Sequence, residues 1–109
     1  MESEFCKLEI FLPESHLEAV QQALWSVDAG HIGRYDCCLS YSPVESCWRP
    51  LEGTDPFLGM PGELCRAEEW KVEVCCREDR LAETLAAVRA AHPYEEPVIN
   101  VIPLYRTGL

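Results

Sequence analysis

Displacing the sequence by 64 residues lays one half of the chain over the other. Glu4 then falls on Glu68, Lys7 on Lys71, Glu9 on Glu73, Glu14 on Glu78, Leu17 on Leu81 and Ala23 on Ala87, with Leu8/Val72, Ile10/Val74 and Leu24/Val88 as apolar matches. A repeat of this length is one supersecondary unit written twice, and it limits the fold more than any composition figure. Each copy opens on period-two alternation, the mark of a half-buried strand. Cys6, Leu8, Ile10 and Leu12 share one face in the first copy, and Trp70, Val72, Val74 and Cys76 in the second. A helical stripe follows in each: Leu17, Val20, Leu24 and Val27, then Leu81, Leu85 and Val88.

Ser15 with Glu18 reads as a capping box, and Asp79 stands at the position equivalent to Ser15. Gly30 is a C-cap candidate, and Pro93 stops the second helix because the residue before proline avoids helical angles. Second strands are expected over Tyr35–Ser42 and Val98–Leu104. Two β-α-β units of this kind make an α+β, ferredoxin-like sandwich: an antiparallel sheet with both helices on one face. The single domain divides into a first βαβ half over about 4–42, a hairpin and flap over about 43–67, and a second βαβ half over about 68–104. In the middle segment Val44–Leu51 is expected to turn back at Ser42-Pro43, and Leu51–Gly62, rich in Gly and Pro, to form a surface flap. The last strand carries Val98, Ile99, Val101, Ile102 and Leu104, apolar on both faces, so a second cover is needed. Another copy of the chain supplies it most simply, which is the physical case for a homo-oligomer.

Charge narrows the partners. With a net charge of −10 and nine Lys and Arg spread thinly, the chain lacks the basic face that nucleic acid or an anionic membrane demands. No apolar run approaches the ~20 residues of a membrane span. The acidic start, Met1-Glu2-Ser3-Glu4, is unlike a secretory leader, and seven cysteines, an odd number without a C-x-x-C pair, point to reduced thiols. A cytoplasmic protein is the expectation, with most cysteines acting as small core hydrophobes. Cys37-Cys38 and Cys75-Cys76 fall in strand-like runs, where neighbours point to opposite faces.

Chemistry concentrates in three loops. His31 in Gly30-His31-Ile32-Gly33 and His92 in Ala91-His92-Pro93-Tyr94-Glu95-Glu96-Pro97 lie in equivalent helix-to-strand loops of the two copies. His31, His92, Glu95 and Glu96 are of the types that ligate a divalent metal such as zinc or manganese. Pseudo-two-fold symmetry separates the two histidines within one chain, so they meet only across a boundary between copies. The flap adds Arg49, Glu52 and Asp55, and with His31, Gly33 and Tyr94 these are the candidate ligand-binding residues. Trp25, Trp48 and Trp70 are expected as packing or interface anchors, and His16 as a surface residue. No phosphate-cradling glycine loop, nucleophile elbow or H-E-x-x-H is present, so no catalytic residue is assigned.

The runs Gly30–Tyr35, Trp48-Arg49-Pro50-Leu51-Glu52-Gly53-Thr54-Asp55-Pro56-Phe57 and Ala91–Pro97, in that order, resemble the domain inserted in YqfO-type members of the Nif-three-like metalloproteins, itself related in fold to CutA and the PII signalling proteins. The resemblance runs from about residue 4 to residue 104. It implies a CutA/PII-like fold, self-association with a trimer favoured over a dimer, and a ligand-sensing or regulatory role. The larger proteins hold their metal pair in flanking domains whose ligands this chain lacks, so that site is not implied here; the domain is expected to stand alone. The leading expectation is a non-enzymatic, homo-oligomeric ligand-binding or regulatory module with its site at clefts between copies. A ligand-free structural or protein-interaction module is the alternative, and a small metal-dependent hydrolase the weaker one.

Overall fold

The repeat becomes a four-stranded antiparallel sheet in the computed structural model, which describes residues 4–108; Met1, Glu2 and Ser3 of the acidic start lie outside them. In chain order the elements are β1 (Phe5–Leu12), α1 (Leu17–Ser26), β2 (Ser40–Trp48), β3 (Cys65–Arg77), α2 (Leu81–Ala91) and β4 (Ile99–Pro103). The sheet order is β2-β3-β1-β4, so the opening strands of the two copies, β1 and β3, lie side by side at its centre. Cys6 faces Cys76, Leu8 faces Val74 and Ile10 faces Val72. Directly opposed residues share a face, which gathers both apolar sets beneath the helices. There Leu8, Ile10, Leu12, Val72, Val74, Cys6 and Cys76 pack with Val20 and Leu24 of α1 and Val88 of α2.

The open face shows what the duplication does to charge. Glu9 lies opposite Glu73, a like-charge pair that destabilises a sheet. Because Lys7 and Lys71 are repeat equivalents, each lysine reaches the other copy's glutamate: Lys7 pairs with Glu73, and Lys71 with Glu9 at 3.6 Å.

The helices keep the 64-residue offset, since α1 begins at Leu17 and α2 at Leu81, each after a 3-10 turn, Glu14–His16 and Glu78–Arg80. These turns replace the expected caps. The His16 N–H donates to the Pro13 carbonyl and the Leu17 N–H to that of Glu14, so the tight turn itself uses the donors a side-chain cap would take. Ser15 bonds His16 instead, and Asp79 pairs with Arg77. Pro93 ends α2 as expected, with His92 already extended at φ −85° and ψ 135°.

Symmetry fails after α1. The equivalent of Ile99 is Tyr35, yet residues 27–39 form a loop and β2 starts only at Ser40. The expected strand over Tyr35–Ser42 therefore shifts, and Cys37-Cys38 lies in a loop rather than a strand. Gly30 does not cap α1, which ends at Ser26. It sits at φ +80°, donates to the Cys75 carbonyl and accepts from the Cys38 N–H, where the loop crosses β3. The chain does not turn at Ser42-Pro43 either: β2 runs straight through Pro43 and pairs with β3 from Ser40↔Glu73 to Trp48↔Cys65. Proline is accommodated because β2 is an edge strand. The hairpin is thus β2–β3, with the flap as its loop. Only Cys6 and Cys76 are buried thiols; Cys37 and Cys47 are exposed and the others half-buried.

Candidate functional site

The flap, residues 49–64, folds back onto the loop between α2 and β4. Trp48, the last residue of β2, donates its indole N–H to the Leu58 carbonyl at 3.3 Å. The Asp55 N–H donates to Glu95 Oε2 at 2.7 Å, and the Gly62 N–H to the Pro50 carbonyl at 2.8 Å. Phe57, at the flap's tip, meets Tyr94 at 6.0 Å between centroids and the edge of His16 at 5.5 Å. Between flap and loop lies an open groove of about 520 Å³. Its walls are largely apolar, with Trp48, Phe57 and Tyr94 beside Arg49, Glu69, Glu95 and Glu96.

Tyr94 is the centre of this arrangement. Its hydroxyl donates to Glu69 Oε2 at 2.7 Å, and its ring contacts Trp48 at 5.8 Å and His92 at 4.9 Å. Burial, with the Glu69 carboxylate beside it, pushes the phenol well above its ordinary range, so it remains a donor. Glu69 is only 6% exposed, an unusual state for a carboxylate.

His92 lies behind this wall, 7% exposed. Its Nε2 is 2.7 Å from the Phe11 carbonyl oxygen, and its Nδ1 accepts from the Tyr94 N–H at 3.2 Å. The bonds assign the neutral tautomer with the proton on Nε2, and burial lowers its pKa in the same sense. Both nitrogens are occupied in holding the Ala91–Pro97 turn against β1. His31 is far away, in the loop pinned to Cys75 at the opposite end of the sheet. Its Nδ1 lies 3.1 Å from Asp28 and its Nε2 3.0 Å from the Gly33 carbonyl, and the Asp28 hydrogen bond raises its pKa.

The structure therefore brings together Arg49, Tyr94, Glu95 and Glu96, and leaves His31 and Gly33 at the other end. Glu52 and Asp55 stand outside the groove lining, Asp55 contributing its backbone. No cluster of three or more His, Cys, Asp or Glu placed to hold a metal occurs among the described residues. Sequence reading missed Glu69, because its place in the β3 alternation, two residues before Lys71 on the open face, reads as one more solvated acid.

Known proteins share this chain's sequence and fold. The chain is 40% identical over 102 residues to a protein named GTP cyclohydrolase 1 type 2 homolog from Halalkalibacterium halodurans, matching 94% of this chain and 27% of that one. It is 39% identical over 98 residues to the protein of the same name from Mycobacterium tuberculosis, matching 90% and 26%. The chain thus spans about a quarter of the length of these relatives. Among solved structures, a Bacillus cereus protein related to NIF3 superposes with a TM-score of 0.82 at 35% identity, over 95% of this chain and 26% of that one. The periplasmic divalent cation tolerance protein CutA from Archaeoglobus fulgidus shares the fold with a TM-score of 0.68 at 23% identity, over 94% and 86%. The family model for the CutA1 divalent ion tolerance protein matches residues 37–108, from the loop before β2 through the flap and the whole second half, and the chain belongs to that family.

Proposed function

We propose that the chain is a non-enzymatic binding module that associates with copies of itself and takes a small ligand in the groove under the flap. It is a counterpart of the domain that the longer relatives carry as about a quarter of their length. The observation that carries this reading is the preformed groove, with the half-buried Tyr94 bonded to the buried Glu69 and a mostly apolar lining. Concave, largely apolar sites with a few convergent polar groups are the usual form of small-molecule sites.

Self-association rests on uncovered apolar surface. Val98, just before β4, is 54% exposed and Val101, within it, 39%, and Leu51, Met60, Leu64 and Tyr105 are each more than half exposed. Edge strands with bare apolar side chains call for a partner. The radius of gyration, 15.0 Å, exceeds the ~13 Å of a compact chain this size, because the β2–β3 arm and flap project. A trimer, a cytoplasmic setting and a divalent ion bound between copies belong to the same proposal. An ion such as zinc or manganese needs ligands from more than one copy, with Glu95, Glu96 and His31 as donors; His92 joins only by giving up a backbone bond.

Light scattering on the purified chain, with elemental analysis of the same sample, tests this. A homo-oligomer without stoichiometric metal supports a small-molecule module. Stoichiometric metal in the oligomer moves the ligand to the boundary between copies. A monomer overturns the proposal.

A further inference from the structure

The charge lining the groove is lopsided. Glu69, Glu95 and Glu96 line it, against Arg49 as the one basic residue there among the described residues. Arg49 and Glu96 are exposed and keep their hydration, and Glu95 is engaged by the Asp55 N–H. Glu69 differs. It is nearly buried, one oxygen accepts the Tyr94 hydroxyl, and the other accepts no hydrogen bond among the described residues. A carboxylate offers about four lone-pair sites, and the oxygen not used by Tyr94 is left for a donor that enters the groove Glu69 lines. Beside it the rings of Trp48 and Phe57 tilt by 49° and 46° from that of Tyr94, which makes a curved aromatic wall rather than a flat stack. Aromatic faces attract cations through their quadrupoles, most strongly where water is excluded.

Taking the groove as the ligand site proposed above, we infer that it accepts a small organic ammonium ion. The cationic nitrogen lies against the free oxygen of Glu69, with Glu96 at the rim, and the apolar part of the ligand lies along Trp48, Tyr94 and Phe57. Arg49 does not reverse this preference, because its exposed guanidinium is screened by water far more than Glu69, which is 6% exposed.

Calorimetric titration of the intact chain with benzyltrimethylammonium, and separately with phenylacetate, tests the assignment, with Trp48 fluorescence as a second signal. The ammonium ion is expected to bind and phenylacetate not. Glu69→Gln keeps an acceptor for Tyr94 but removes the charge, and is expected to weaken ammonium binding at least about tenfold, the usual scale for losing a desolvated charge partner. Glu96→Gln, on an exposed residue that no folding contact requires, weakens it less and serves if Glu69→Gln does not fold. Arg49→Ala, which takes a positive charge out of the groove lining, is expected to tighten ammonium binding. Preferred binding of phenylacetate, lost in Arg49→Ala, overturns the ammonium assignment while leaving the groove as a ligand site. Equal ammonium binding by wild type and every variant also overturns it, showing attraction to a chain of net charge −10 and no site. Binding of neither compound, as when a neighbouring copy fills the groove, overturns it too; light scattering and elemental analysis then judge the broader proposal independently.

Discussion

At the scale of single residues, His92 and Gly30 hold more of the structure than their neighbours. His92 fastens the turn that carries Tyr94, so His92→Ala removes a bond to the Phe11 carbonyl and leaves that acceptor short of a donor. Denaturant unfolding is expected to show a loss of about 2–3 kcal/mol. The pH dependence follows from its lowered pKa, for which desolvation is the first cause. Below the ordinary value of 6.5 the unfolded chain takes up a proton that the folded chain resists. This contribution is complete above that value and is lost progressively as pH falls from it through the lowered value of the folded chain. His31 has the opposite sign, its raised pKa favouring the folded state at lower pH, but it is exposed and contributes little. Melting curves between pH 7.5 and 5.5 should fall for wild type and flatten for His92→Ala. Gly30 and Gly33 form a matched pair. Both have positive φ, but a Cβ on Gly30 would lie 2.2 Å from the Cys38 carbonyl oxygen, whereas nothing lies within 4 Å at Gly33. Gly33→Ala is expected to cost about 1 kcal/mol, and Gly30→Ala well beyond that, read from unfolding midpoints.

At the scale of elements, what the sequence shows is what periodicity and repetition can carry. β1, β3, both helices and their mutual placement follow from the 64-residue offset, because alternation and stripe are local patterns. β2 does not follow, since nothing in Tyr35–Ser42 reveals that its loop crosses β3 before pairing begins. Nor does Pro43 declare itself tolerable until β2 is known to be an edge. Of the site, Arg49, Tyr94, Glu95 and Glu96 were legible as motif residues. Glu69 was not, because burial of one acid in an acidic alternating strand depends on where a distant flap lands. The flap gives a prediction at this scale. Replacing residues 51–62 with a short Asn-Gly turn retains the β2–β3 pairing, which reaches Trp48↔Cys65 without it, but removes the Phe57 side of the groove. Circular dichroism should show the sheet intact, and Trp48 emission should shift to longer wavelength as its ring loses the flap.

At the scale of the whole molecule, the exposed Val98, just before β4, and Val101, within it, are the surface on which the proposed self-association rests. Substituting Val98 and Val101 with lysine places charge at the β4 edge, a standard barrier to edge pairing. Light scattering is expected to report a smaller assembly for that variant, with the far-ultraviolet spectrum unchanged. The central claim is that the assembled chain holds a small molecule beneath its flap. Native mass spectrometry of gently purified protein tests this most directly, with wild type beside the flap-shortened chain. Wild type is expected to appear as an oligomer carrying a small-molecule mass, and the flap-shortened chain to be bare. Identical bare masses in the two would contradict it.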